Sequence, residues 1–336
     1  MSWTEELYNV YEYNCGNSDG EPMLLPVSHS TANAQIELTI DEKGNFRAAR
    51  TVDKSEAETI IPVTEDSGAR SSGICPMPFA DKLVYIAGDY SSYSDGKRSD
   101  NSKYFAAYME QLAKWRDSEY SHKATEALYV YLEKSEIMSD LIKSGVLTVD
   151  EESGKLADKV KIAGIDQGDA FVRVIVNYSD VNAEEKTWRD KTLYESFTAF
   201  NSSMAGNRQL CYATGQMLPS TYKHPSKIRN SGDKAKLISS NDESGFTYRG
   251  RFWNKEEAIS VSYDFSQKMH NALKWLIAKQ GMSFDTLTVV TWASQMRKIP
   301  DFTNSLCDDF GPDFWDNEDN VPQTGEQFNV ILKKCI

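Results

Sequence analysis

The 336-residue sequence predicts an α+β fold, and three observations carry that prediction. Helical periodicity dominates residues 103–145 and 256–280. Short strand-like runs, alternating or wholly apolar, occur near 36–40, 171–177 and 287–292. The two kinds of segment follow one another irregularly, without the steady strand–helix alternation of a doubly wound sheet. We expect one α+β region over 1–320, with possible lobes at 1–100, 101–205 and 206–300, and the truncated start of a helical segment at 321–336.

Ser2 and Glu5 have capping-box spacing ahead of Leu7, Val10 and Tyr11, which predicts a short amphipathic helix at the start. Ile36, Leu38 and Ile40 alternate with polar residues, Asp41 to Asn45 supply turn chemistry, and Phe46 begins a return strand. From Asp53 to Lys82 the pattern gives way to Pro62, Gly68, Gly73, Pro76 and Pro78, a long aperiodic stretch of the kind kept for loops with a task. Tyr104, Tyr108, Leu112 and Trp115, then Leu128, Tyr131 and Leu132, form the apolar faces of two or three helices. Spacing of three and four residues is what burial requires, so these aromatics are assigned to the core and not to base stacking.

Phe171, Arg173, Ile175 and Asn177 alternate with Val172, Val174 and Val176 in a strand buried on at least one face. Further along we expect a helix from about Ala183 to Ser203 and a strand near Leu210-Cys211-Tyr212. A short strand at Lys236–Ser239, a strong helix from Glu256 to Gln280 and a buried strand from Leu287 to Trp292 complete the prediction.

Several function classes drop out at this level. No apolar run approaches the ~18–20 residues that span a bilayer. The start, Met1 to Glu6, is acidic where a secretory signal is basic, so the expected compartment is the cytoplasm, with no membrane partner. Cys15, Cys75, Cys211, Cys307 and Cys335 form no C-x-x-C pair, and the four histidines (His29, His122, His224, His270) form no H-E-x-x-H pattern; neither a metal site nor a cofactor is expected. The acidic run Asp308, Asp309, Asp313, Asp316, Glu318 and Asp319 has no histidine or lysine beside it, which suits a solvated loop better than a hydrolase site. No G-x-S-x-G elbow is present, and the protein is read as a non-enzyme.

The charge is distributed unevenly. The chain carries 37 Lys and Arg against 50 Asp and Glu, a net −13 that opposes binding of a polyanion through the whole surface. Residues 223–255 nevertheless hold eight cations against three acids, whereas 301–336 hold eight acids and two lysines. Two candidate binding segments follow. In the first, Arg70, Ser71, Ser72 and Gly73 combine a guanidinium, two hydroxyls and a flexible backbone, the ingredients of a loop that meets a phosphate or a base edge; an ordinary surface turn has the same composition. The second has Lys234, Lys236 and Asn241 followed by Tyr248, Arg249 and Arg251 interleaved with Gly245, Phe246, Gly250 and Phe252. Cations, flat rings and glycines together suit nucleic acid, while a half-exposed strand with snorkelling arginines would look alike.

The order of motifs resembles a known family. Arg70 to Pro76 with Phe79, Asp81, Tyr85 and Ile86, then Leu210 to Gly215, His224-Pro225, Lys234 to Asp242, Gly245 to Phe252 and His270 to Ile277, is similar to the large subunit of the type I-C CRISPR interference complex, Cascade. The resemblance implies a non-catalytic subunit that recognises the protospacer-adjacent motif in double-stranded DNA and helps open the duplex. It also implies docking on the guide-RNA complex subunits and a surface for the helicase-nuclease. Arg70, Ser71, Ser72 and Gly73 with Lys234, Lys236, Asn241, Tyr248, Arg249 and Arg251 are the residues expected to face DNA, the two lysines positioning its backbone. An assembly scaffold that binds guide RNA or partner subunits without reading DNA is the competing expectation. Family members are longer and end in a helical bundle, whereas this chain stops at Ile336 inside the amphipathic run Phe328 to Leu332, so it is read as the N-terminal part of one.

Overall fold

The computed structural model describes residues 2–15, 23–68, 70, 73–95, 100–230, 233, 236–239, 252, 255–284 and 287–292. Helices and small sheets of mixed strand orientation give an α+β fold, as expected. The segment Phe246 to Arg251, the acidic run and the segment 321–336 lie outside the described residues. The chain divides into two units: Ser28–Gly206 is one, and the other joins Met1–Val27 to the chain from Asn207 onward.

The Ser28–Gly206 unit is organised by a three-stranded sheet in the order Phe46–Thr51, Ile36–Asp41, Val172–Asn177. The first two strands are an antiparallel hairpin; the second and third are parallel, with Ile36 opposite Val172 and Ile40 opposite Val176. Ile36, Leu38, Ile40, Val172, Val174 and Val176 are fully buried in one core with Tyr108, Leu112 and Trp115 of the Ser102–Arg116 helix and Leu128, Tyr131 and Leu132 of the Lys123–Glu133 helix. The aromatic stripe is therefore core. The hairpin turn explains Gly44: its φ is +71°, and a Cβ there would sit 2.8 Å from the Ala127 carbonyl oxygen.

The other sheet face holds a buried ion cluster. Glu37 and Arg173 are opposite each other in the parallel register, and the Arg173 Nη2 lies 2.7 Å from Glu37 Oε2. Arg50 Nε adds a second contact at 2.6 Å, and the Arg173 guanidinium stacks 4.0 Å from the Trp188 ring centroid. Burial pushes the Glu37 carboxyl up, but hydrogen bonds from Arg50 and Arg173 outweigh it and hold it below its ordinary range.

Two elements of this unit differ from the expectation. Glu58–Pro62 is a strand, antiparallel to His29–Asn33, inside the stretch read as aperiodic. Pro62 closes that strand in a two-stranded ribbon, where its missing N–H is tolerated. The last helix begins at Lys191 and not near Ala183, because the Asp190 carboxylate caps it, accepting from Thr192 N (2.9 Å) and Leu193 N (3.3 Å).

In the other unit, Leu7, Val10 and Tyr11 of the Trp3–Asn14 helix share a core with Phe265, Met269, Ala272 and Leu276 of the Tyr263–Gln280 helix. Asn271 Nδ2 donates to the carbonyls of Leu25 and Pro26, both at 3.1 Å. The expected helix from 256 is interrupted: Lys255–Ala258 is a single turn and Val261–Ser262 is a strand on Met217–Thr221. Helix then restarts with Ser262 Oγ accepting from Phe265 N. Ile259 and Val261, β-branched residues in tandem spacing, favour the extended link. Arg208–Leu210 completes that sheet, with Cys211 and Tyr212 beyond its end. Lys236–Ser239 is not a strand, and Leu287–Val289 forms a hairpin with Met282–Phe284 in which Leu287 is exposed.

Candidate nucleic-acid interface

The first candidate loop is clamped at both ends. Thr64 N–H donates to Ser67 Oγ (2.9 Å) and Ser67 N–H to Thr64 Oγ1 (3.1 Å), a reciprocal cap on the Glu65–Gly68 turn. At the far end Phe79 is buried at φ +69°, and its carbonyl accepts from the Tyr108 hydroxyl. Between them Asp81, fully buried, accepts from Met77 N and Lys82 N at 2.8 Å each. Gly73 sits at φ +82° with no atom within 4 Å of where a Cβ would be, so its glycine serves the backbone turn and not close packing.

Arg70 is placed differently from the expectation of a guanidinium free for phosphate. Its Nη1 and Nη2 donate to the two oxygens of Asp81 at 2.9 and 3.0 Å, Nη1 also reaches the Cys75 carbonyl at 3.1 Å, and the group lies 4.7 Å from the Tyr85 ring centroid. A bidentate fork on a buried carboxylate leaves little of it for an external anion. Burial alone would disfavour the Arg70 charge; the Asp81 hydrogen bonds and charge override that and raise its proton affinity. Arg70 thus holds the loop in place, while Ser71 and Ser72 lie outside the described residues.

Of the second candidate set, Lys236 is described and half-buried; Lys234, Asn241, Tyr248, Arg249 and Arg251 lie outside the described residues. The chain just before it is ordered by Asp233, whose carboxylate pairs with Arg229 Nε at 2.9 Å and whose carbonyl accepts from Lys227 N at 2.8 Å. Lys227 itself is exposed, at φ +58°.

Behind this stretch lies a group the sequence reading did not assign. His224 and His270 are buried, their rings stacked at a centroid distance of 6.2 Å. Ser266 joins them: its carbonyl accepts from His270 Nδ1 (2.7 Å) and its hydroxyl lies 2.8 Å from His224 Nδ1. Burial, then the neighbouring His270 and Lys236, pushes His224 down to about 3. Burial and Lys274 push His270 down to about 4 against the opposing Ser266 carbonyl. Burial and Lys227 push Lys274 down to about 8. The readable signal was the lysine at i+4 from His270, set in the apolar face of a strong helix.

Among the described residues no three His, Cys, Asp or Glu side chains are grouped as metal ligands, and no helix is long and apolar enough to cross a membrane. No curated protein matches the sequence. Residues 7–335 match the family described as CRISPR-associated protein (Cas_Csd1). Matched across nearly its whole length, the chain belongs to the CRISPR-associated Cas_Csd1 family, consistent with a type I-C Cascade large subunit.

Proposed function

We propose that the chain is the DNA-facing, non-catalytic large subunit of a type I-C RNA-guided surveillance complex. It acts in the cytoplasm, where it recognises the protospacer-adjacent motif in double-stranded DNA, aids opening of the duplex and offers a surface to the helicase-nuclease. The observation that carries this reading is the family match over residues 7–335. In it, Ser71, Ser72 and Gly73 approach base edges from a loop that Arg70 and Asp81 hold in place. Lys234, Lys236, Arg249 and Arg251 neutralise phosphates, and Asn241 and Tyr248 approach the bases. Delegating the rest of the sequence to the guide is physically economical, because a short motif needs few base contacts of ~1–3 kcal/mol each.

The test uses the assembled complex and two duplexes that differ only in the motif. Ser71→Ala with Ser72→Ala is expected to reduce the preference for the motif-bearing duplex by roughly 5–150-fold, the equivalent of one good base contact. Arg249→Glu weakens both duplexes and lowers the salt slope, by ~0.9 for each phosphate no longer neutralised. Unchanged preference in the serine variant and unchanged affinity in the arginine variant would overturn the assignment. The internal pairing of Arg70 favours the competing reading, an assembly subunit whose basic stretch meets guide RNA or partner subunits. On that reading Arg249→Glu impairs assembly of the complex and leaves motif preference intact.

A further inference from the structure

In the unit that contains Asn207 onward, one sheet ends in a bare edge. Its strands lie in the order Val261–Ser262, Met217–Thr221, Arg208–Leu210, so the last is an edge among the described residues. Ser220 N donates to the Asn207 carbonyl (3.1 Å) and Cys211 N to the Gln216 carbonyl (2.8 Å). By antiparallel alternation the main-chain groups of Asn207, Gln209 and Cys211 therefore face the neighbouring strand, and those of Arg208 and Leu210 face outward. The hairpin is anchored at its turn: Tyr212 N donates to the Ser260 carbonyl (2.9 Å), and the buried Cys211 Sγ accepts from Ser262 N (3.3 Å).

The side chains along this edge are apolar where water meets them. Leu210 and Met217 are directly opposite in the register and are 50% and 56% exposed; Tyr212, at the turn, is 61% exposed. Residues 207–222 hold one charge, Arg208, in a chain that is 26% charged. Arg208 is exposed, and its Nη2 donates to the Met217 carbonyl at 2.8 Å, which sets the guanidinium beside the apolar pair. Among the described residues no carboxylate lies on it. Tyrosine, methionine and arginine on a surface stripped of lysine and acid are the composition of an interface centre.

The same features choose the occupant. Nucleic acid needs several cations along its path, and this stretch has Arg208 alone. A second copy would set the patch against itself, offering Arg208 no acid, and two chains of net −13 repel. We propose that the 208–221 hairpin docks a protein subunit of the guide-RNA complex, through an extended segment of that subunit added beside Arg208–Leu210. Alternate residues of such a strand face one side. The segment therefore carries a large apolar side chain against Leu210 and Met217 and, two residues away, a carboxylate against Arg208. The proposal rests on the reading of the chain as a subunit of that complex, and it uses no residue assigned there to DNA.

In the experiment the guide-RNA complex is assembled without this chain and titrated with the full chain as parent, Leu210→Asp or Arg208→Glu. Both positions are exposed, so each variant is expected to melt with the parent. Each is expected to join the complex at least about tenfold more weakly and, once bound, to keep its preference for the motif-bearing duplex. A photo-crosslinker in place of Tyr212 reads the same contact without an added charge. It is expected to link to a protein subunit, at a segment where a carboxylate and a large apolar residue are two apart. Parent-like affinity in both variants overturns the proposal, as does a link to guide RNA, to DNA or to a second copy of the chain. A parent that fails to join the complex overturns the proposed function as well, whereas variants that join like the parent overturn the docking surface alone.

Discussion

Arg70 and Lys274 are both cations partly withdrawn from water, and among the described residues only Arg70 is paired with a carboxylate. Asp81 meets its guanidinium with two oxygens and is itself held by two backbone N–H groups, so the arrangement is closed. Lys274 is pushed down by burial and Lys227, and the Nε2 atoms of the buried His224 and His270 have no hydrogen-bond partner among the described residues. The comparison teaches that a conspicuous arginine in a glycine-rich loop can be structural, held by a carboxylate eleven residues on. Burial raises the stakes in both places, and the partner decides which way they fall.

The comparison can be broken most sharply at Asp81. Asp81→Ala leaves Arg70 inside without its partner and two backbone donors unmet, and is expected to destabilise the protein by ~3–5 kcal/mol, read from the denaturant midpoint. A loss under ~1 kcal/mol would mean that the fork is available to an external phosphate after all.

Acid tests the open side. His224 and His270 are held near 3 and 4 against an ordinary 6.5, so the unfolded chain binds more protons than the native one between those limits. Their contribution is therefore present above pH 6.5 and lost as pH falls, by about 2 kcal/mol per histidine at pH 5. The double variant His224→Gln, His270→Gln is expected to flatten this slope; an unchanged slope would place the acid sensitivity elsewhere.

Smaller effects sharpen the contrast within one helix. Lys268→Met breaks contacts to Glu12 and Asp264, both partly exposed, and is expected to cost about 1 kcal/mol, whereas Lys274→Met costs nothing. Equal losses from the two substitutions would show that Lys274 contributes by packing its stem. At the bottom of the scale, Lys114→Ala removes a pair open to solvent, to Glu110, and should leave the denaturant midpoint unmoved.

Much of the core was legible because its periods are local. Ile36, Leu38 and Ile40 alternate, Tyr108, Leu112 and Trp115 recur at helical spacing, and each set faces inward. What could not be read depends on pairings distant in sequence. Nothing near Arg173 announces Glu37, and nothing near Arg70 announces that Asp81, eleven residues on, folds back onto it. Boundaries failed where a cap or a β-branched pair outweighed apolar periodicity, at Asp190 and at Ile259–Val261. At the candidate site the inward pairing of Arg70 with Asp81 was not announced by its glycine-rich loop, and Lys274 was hidden among the apolar residues of its helix.

The partition of the chain bears on how it is made. The Trp3–Asn14 helix leaves the ribosome well before the Tyr263–Gln280 helix that covers its apolar stripe, some 250 residues later. At ~5–20 residues per second, Leu7, Val10 and Tyr11 wait roughly 10–50 s for their partner, while Ser28–Gly206 has emerged complete. Nascent-chain quality control would therefore meet the uncovered stripe while the Ser28–Gly206 unit is already finished, and a solubility tag near Trp3 would act where that wait is longest.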